Sequence, residues 1–351
     1  MEIKEHFKNI FLDKDFEDIL GQEEVKMQLK SALLMGRHVI IVGPPGIGKT
    51  TLAKNVAKLL PDVEVVKGCE YHCNPKQPIC PMCKTKKKIE KETLAGEKRF
   101  VRIQGSPDLT SEDLLGDIDP IKAMKFGPLS LEAFTPGKIF RANQGVLFFD
   151  ELNRCPDKLQ NALLQVLEEG SATIGSYSVD LPANFIFIGT MNPEDYSGTE
   201  KLSDVFMDRF DLIYMGYPES IPIEKKIVED KAETLEEVKF PEILLEMMID
   251  FVRTLRLSKD IDRKPSVRAS IGLYERAQSI AYLNRRKKVT FDDIKSSLIS
   301  VLSHRIRLKP SVKYLKDPSE FIKEQFEEFL KSSQQYRNFV RDTGSEEGGA
   351  G

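Results

Sequence analysis

The run Gly43-Pro44-Pro45-Gly46-Ile47-Gly48-Lys49-Thr50 narrows the folds open to this chain more than any other feature. It satisfies the spacing G-x-x-x-x-G-K-[ST], with the apolar run HVIIV before it and the amphipathic pattern TTLAKNVAKLL after it. That order predicts a buried strand, a glycine-rich turn and a helix. Glycines let successive backbone amides face an anion, and the helix N-terminus adds its partial positive charge. Lys49 would reach the β- and γ-phosphates of ATP, the Thr50 hydroxyl would coordinate Mg²⁺, and Thr51 lies beside them. An ordinary turn between strand and helix is the weaker reading.

A phosphate loop of this kind needs a sheet behind it. The runs VEVV, FVRI, VLFFDEL, FIFIGTM and LIYMGY follow HVIIVG, mostly separated by helical patterns. This alternation predicts an α/β fold with a mainly parallel sheet covered on both faces by helices. After Pro218 the β-rich runs stop and helical patterns dominate. The expected domains are therefore a nucleotide-binding αβα domain over 1–220, a helical lid over 221–310 and a helical extension over 311–342. A disordered tail is expected over 343–351. With 52 Lys and Arg against 55 Asp and Glu, no basic field announces nucleic acid. No run approaches the ~18 apolar residues of a membrane span, so a cytoplasmic protein is expected.

The apolar residues Val146–Phe149 lead into Asp150 and Glu151. A strand buried on both faces would deliver these carboxylates at its C-terminal end, where ligands bind in open α/β sheets. Asp150 would hold the magnesium, and Glu151 would orient and deprotonate the attacking water. Another apolar run ends in Thr190, Met191 and Asn192, and the Asn192 amide could meet the γ-phosphate or the water. Arg209, in LSDVFMDRFDL, and Arg268, in KPSVRAS, read singly as surface ion-pair formers.

Cys69, Cys73, Cys80 and Cys83 follow the spacing C-x₃-C-x₆-C-x₂-C, with Pro75, Pro78 and Pro81 between them. Two close pairs on a tight loop can set four thiolates tetrahedrally around Zn²⁺. His72 is a substitute ligand, and an iron–sulfur cluster, free thiols or a disulfide stay open. Cys155 stands apart as a small packed residue. The insertion, about 67–92, is expected to project from the body as a docking knuckle. Its lysine-rich KTKKKIEKE stretch reads as a solvated helix face or a basic docking surface.

The order of these motifs resembles the AAA+ ATPases, and within them the branch of the magnesium chelatase ATPase subunit and the MoxR-type ATPases. LLGDIDPIKAMKFGPLSLEAFTPGKIFRANQGVLFFDELN is similar to the chelatase subunit, whereas DELNRCPDKLQNALLQVLEEG with ATIGSYSVDLP resembles MoxR proteins. The resemblance covers roughly residues 15–310. It implies an AAA+ core with β-hairpin insertions and an α-helical lid, and it places Gly21 and Gln22 near the adenine. Asn192 becomes the first sensor, Arg209 the arginine finger given to a neighbouring subunit, and Arg268 the lid sensor. It further implies a self-assembled ring, commonly a hexamer, that hydrolyses ATP to remodel a partner carrying a von Willebrand A-type domain. Chelatase subunits lack such a four-cysteine cluster. A nucleic-acid motor related to replicative helicases and a low-turnover nucleotide switch are the competing readings. The first is disfavoured because the hairpin SATIGSYSVDLPAN carries no Lys or Arg.

Overall fold

A computed structural model describes residues 3–127, 130–169, 172–174, 177–179, 183–193 and 202–339. The expected tail, 343–351, lies outside them, as do parts of the SATIGSYSVDLPAN hairpin. The chain divides into two compact units, Met1–Gly43 with Gly48–Met215, and Pro44–Ile47 with Gly216–Gly351.

The first unit is built on five strands: β1 (His38–Val42), β2 (Phe100–Gln104), β3 (Val146–Asp150), β4 (Ile186–Met191) and β5 (Phe210–Tyr214). They lie in the order β5-β1-β4-β3-β2, and every pairing is parallel. Val39, Ile40 and Ile41 of β1 and Val146 to Phe149 of β3 are fully buried. Such unbroken apolar runs suit central strands covered on both faces, and they follow from the β-branched and aromatic content of those segments. Parallel strands aim their carboxyl ends in one direction, so Gln104, Asp150 and Met191 end β2, β3 and β4 at the same edge of the sheet.

Two expectations for the segment after the phosphate-loop helix, Lys49–Lys58, need correction. Val63–Val66 does not join the main sheet but pairs antiparallel with Lys91–Leu94, making a ribbon from which the cysteine loop springs. Accordingly, KTKKKIEKE is no helix: only Lys84 ends a short helical turn, and Lys91 already belongs to the ribbon. The insertion is also no free satellite. Cys73, Cys80 and Cys83 are buried and, with Tyr71 of the same insertion, share a core with Phe134, Ile139 and Phe140 of the ATPase body.

In the second unit, helices Ile221–Lys231, Glu242–Leu257, Val267–Leu283, Phe291–Leu302 and Pro318–Ser332 surround one apolar core. Phe251 meets Phe326 and Phe329 at ring-centroid distances of 4.9 and 5.5 Å, so the last of these helices belongs to that core. Thr290 and Asp293 form the capping box that their spacing predicts, and Arg286 clasps the Asp293 carboxylate. Burial alone would raise the Asp293 carboxyl, but the Arg286 and Thr290 hydrogen bonds hold it below its ordinary value. Fully buried Glu224 accepts two bonds from Arg256, at 2.6 and 2.7 Å, and one from Ser270 at 2.6 Å. A buried carboxylate survives only with partners of this kind.

Candidate functional site

Gly48 reaches φ +103°, a backbone that side chains rarely adopt, and immediately opens the helix carrying Lys49, Thr50 and Thr51. A Cβ there would sit 3.6 Å from Met215 and 3.9 Å from Ile19. The Lys49 ammonium donates to the Gly43 carbonyl, folding back across its own loop. The same helix is tied to the segment preceding Gly21 and Gln22. Asn55 donates to Asp18 at 3.0 Å, and Lys58 pairs with Asp18 at 2.6 Å. Gly21 and Gln22 both lie at positive φ, and Gln22 is buried at the start of helix Glu23–Leu34. Within the second unit, a Cβ on Gly46 would fall 2.7 Å from Ser266 Oγ and 3.3 Å from Arg268 Cδ. Arg268 stands in the first turn of helix Val267–Leu283.

At the ends of β3 and β4 the carboxylates are held by a compact network. Thr190 donates its hydroxyl to Asp150 at 2.7 Å and accepts the Glu151 amide at 3.0 Å. Arg102, from β2, bonds the other Asp150 oxygen at 2.5 Å. Gln104 donates to Glu151 at 3.0 Å, with Arg154 Nε 3.3 Å from the same carboxylate. Glu151 itself adopts φ +56° and ψ +52°, a left-handed backbone uncommon for a residue with a long side chain. Such strain persists only where surrounding contacts impose it. Here the Gly105 amide donates to the Asp150 carbonyl at 2.7 Å, and β2 presses directly against the turn.

Arg102, Gln104 and Gly105 join the residues that the sequence offered, and Thr190, expected only as part of the end of an apolar run, gains its bonds to Asp150 and Glu151. The register explains them: β2 pairs with β3 so that Gln104 lies opposite Asp150, and β4 pairs with β3 through Gly189 opposite Phe149. Asn192 follows β4 directly. Arg209 stands apart from this network, bonded by its guanidinium to Glu168 and to the Val205 carbonyl.

For a divalent cation, Thr50 and Asp150 offer the hard oxygen donors that Mg²⁺ prefers. The four cysteines offer a different chemistry. Their sulfurs all lie within 4.8 Å of one another, none is in a disulfide, and Cys69 Sγ is 3.8 Å from Cys80 Sγ. A tetrahedron with ~2.3 Å Zn–S bonds has an edge of about 3.8 Å, so the donor set fits zinc. The Ile79 and Cys80 amides donate to Cys73 Sγ at 3.4 and 3.3 Å, and the Cys83 amide donates to Cys80 Sγ at 3.4 Å. These bonds would share the charge of metal-bound thiolates. Burial pushes the Cys83 thiol up to about 12, whereas hydrogen bonds from Cys73 and then Cys80 hold Cys69 far below its usual range. His72 places Nδ1 3.0 Å from the Asn143 carbonyl, and among the described residues the gathered donor set is the four sulfurs. Cys155 is buried outside the cluster.

The chain matches known families along most of its length. Residues 80–212 match the "ATPase family associated with various cellular activities (AAA)", 15–92 match "Magnesium chelatase, subunit ChlI", and 256–325 match the "AAA lid domain". With the parallel sheet and the phosphate loop, these matches make the chain an AAA+ ATPase. It is 30% identical over 352 residues to the magnesium-chelatase subunit ChlI homolog of Methanocaldococcus jannaschii, covering 92% of each chain. It is 29% identical to magnesium-chelatase subunit ChlI of Synechocystis, covering 84% of this chain and 88% of that one. Within the AAA+ ATPases the chain therefore belongs to the magnesium-chelatase ChlI-like family. Among solved structures, a complex between subunits BchI and BchD of magnesium chelatase aligns at 24% identity with TM-score 0.49. That alignment covers 86% of this chain and 98% of the other. Among the described residues, no helix is long and apolar enough to cross a membrane.

Proposed function

We propose that this ChlI-like protein is a Mg²⁺-dependent ATPase working as a cytoplasmic ring, commonly six subunits, that remodels a partner bearing a von Willebrand A-type domain. The observation supporting hydrolysis most strongly is the convergence of Asp150, Glu151 and Thr190 at the ends of adjacent parallel strands. Lys49 and the amides of the loop bind the phosphates, and Thr50 and Asp150 hold the cation. Bound Mg²⁺ neutralises charge on the phosphates. Glu151, oriented by Gln104 and Arg154, takes a proton from the attacking water. Asn192 positions that water, Arg209 completes a neighbour's site, and Arg268 acts as the nucleotide sensor of the helical unit.

We further propose that Cys69, Cys73, Cys80 and Cys83 hold a structural Zn²⁺. The spacing of the sulfurs and the amides directed at them support this assignment.

Glu151→Gln keeps the shape and removes the base. It should bind ATP normally while hydrolysis falls by about 10²-fold or more. Wild-type turnover by that variant would defeat the assignment.

A further inference from the structure

The turn between the first two cysteines is stitched to the residues that open β3. Tyr71 packs its ring 6.0 Å from Phe140, and Asn143 donates its side-chain amide to the Tyr71 carbonyl at 2.9 Å. The His72 ring and the Asn143 carbonyl are 3.0 Å apart, and Gln144 donates to the His72 carbonyl at 3.3 Å. His72 and Gln144 both sit at positive φ, +49° and +62°. Two left-handed residues facing each other in this way hold only while both sides of the contact are in place.

Asn143 is the hub. It is 4% exposed, and its side-chain oxygen accepts the Asn184 amide at 3.1 Å. Asn184 in turn accepts the Gln144 amide at 2.6 Å, and the Gly145 carbonyl accepts the Ile186 amide at 2.9 Å. One buried side chain therefore joins the cysteine turn to the entrances of β3 and β4. At their far ends those strands bring Thr190 against Asp150 and Glu151. Cys69 and Cys73 bracket Tyr71 and His72, so whatever gathers the sulfurs also fixes the turn that Asn143 grips.

We infer that Asn143 is a positioning residue through which metal occupancy of the four-cysteine loop sets the alignment of β3 against β4. This inference rests on the zinc and ATPase readings above. With the metal removed the turn loosens, the Asn143 grip weakens at the strand entrances, and Thr190 shifts relative to the carboxylates. Phosphate binding, which belongs to Lys49 and the glycine loop, is not part of this path.

The test is a cycle of four preparations: wild type and Asn143→Ala, each zinc-loaded and each after chelation, with zinc content measured throughout. The readouts are amide hydrogen exchange over 146–150 and 186–190, ADP affinity, and the kcat and KM for ATP. Chelated wild type should show faster exchange in both strands and a kcat lowered about tenfold, with ADP affinity and KM nearly unchanged. Zinc-loaded Asn143→Ala should retain its metal yet show the same losses, and chelating it should add little. Unaltered strand exchange and kcat in chelated wild type, or losses that simply multiply, would overturn the inference. If Asn143→Ala does not fold, His72→Ala removes a single bond to the Asn143 carbonyl and should show a smaller loss of the same pattern. Protein that never carries zinc refutes the metal half, and undiminished turnover by Glu151→Gln refutes the ATPase reading instead.

Discussion

Gly105→Ala adds one methyl group where the structure leaves no room for it. A Cβ at Gly105 would lie 2.1 Å from the Glu151 carbonyl oxygen, 2.9 Å from its carbon and 3.0 Å from the Asp150 oxygen. All three are backbone atoms, so no side chain can swing aside. Reaching ordinary contact requires the exit of β2 and the Asp150–Glu151 turn to separate by about 1 Å. That separation strains the 2.7 Å bond from the Gly105 amide to the Asp150 carbonyl and carries Gln104 away from Glu151. Overpacking of this sort costs about 1–3 kcal/mol of stability. The effect on turnover should exceed the effect on folding, because misplacing a reacting group by ~1 Å can cost about 10²-fold. Steady-state hydrolysis should show kcat falling by about 10–100-fold while the KM for ATP moves little, and thermal unfolding should report a modest loss of stability. A kcat within twofold of wild type in folded Gly105→Ala protein would refute the reasoning, since the turn would then tolerate the displacement.

Arg209→Ala and Lys49→Ala should each hydrolyse poorly alone, while their mixture recovers activity, because the Lys49 variant still lends an intact arginine. Mixtures that never exceed the two parts, under conditions where subunits exchange, would refute a role in a neighbour's site. Cys73→Ser should lose zinc and Cys155→Ser should keep it, with about one zinc per chain in the unsubstituted protein by elemental analysis. Burial first, and then the nearby Arg37 charge, lower the His38 imidazole from 6.5 to about 4, and its Nδ1 accepts the Phe187 amide at 3.2 Å. Protonation therefore favours the unfolded chain, and stability should be full above pH 6.5 and fall by about 2–3 kcal/mol as pH drops towards 4. Denaturant titrations across that range should find the slope reduced in His38→Gln.

Lys49, Asp150 and Glu151 are legible in the sequence because each belongs to a short motif joined to a strand whose apolar run is continuous. Arg102, Gln104, Gly105 and the bonds of Thr190 are not, because their importance comes from register across strands far apart in the chain. VEVV has the composition of a central strand, and nothing within its four residues reveals that Lys91–Leu94 will be its partner. The cysteine spacing suggests a four-thiolate donor set without help from the fold, and the structure gathers those sulfurs within 4.8 Å of one another. The docking of that site against Asn143 depends on a contact spanning 72 residues between Tyr71 and Asn143, which no local pattern encodes.

Arg209 does not wait in open solvent. Its guanidinium is clasped by Glu168 from helix Asp157–Glu169 and touches the Val205 carbonyl. On the proposed role, ring closure is then an exchange of anions. A neighbour's nucleotide must draw the arginine out of a carboxylate's hold before it can serve that neighbour. The lone subunit is thereby kept sheathed, and Glu168 becomes a threshold that separates chance encounters between copies from productive, nucleotide-loaded contact.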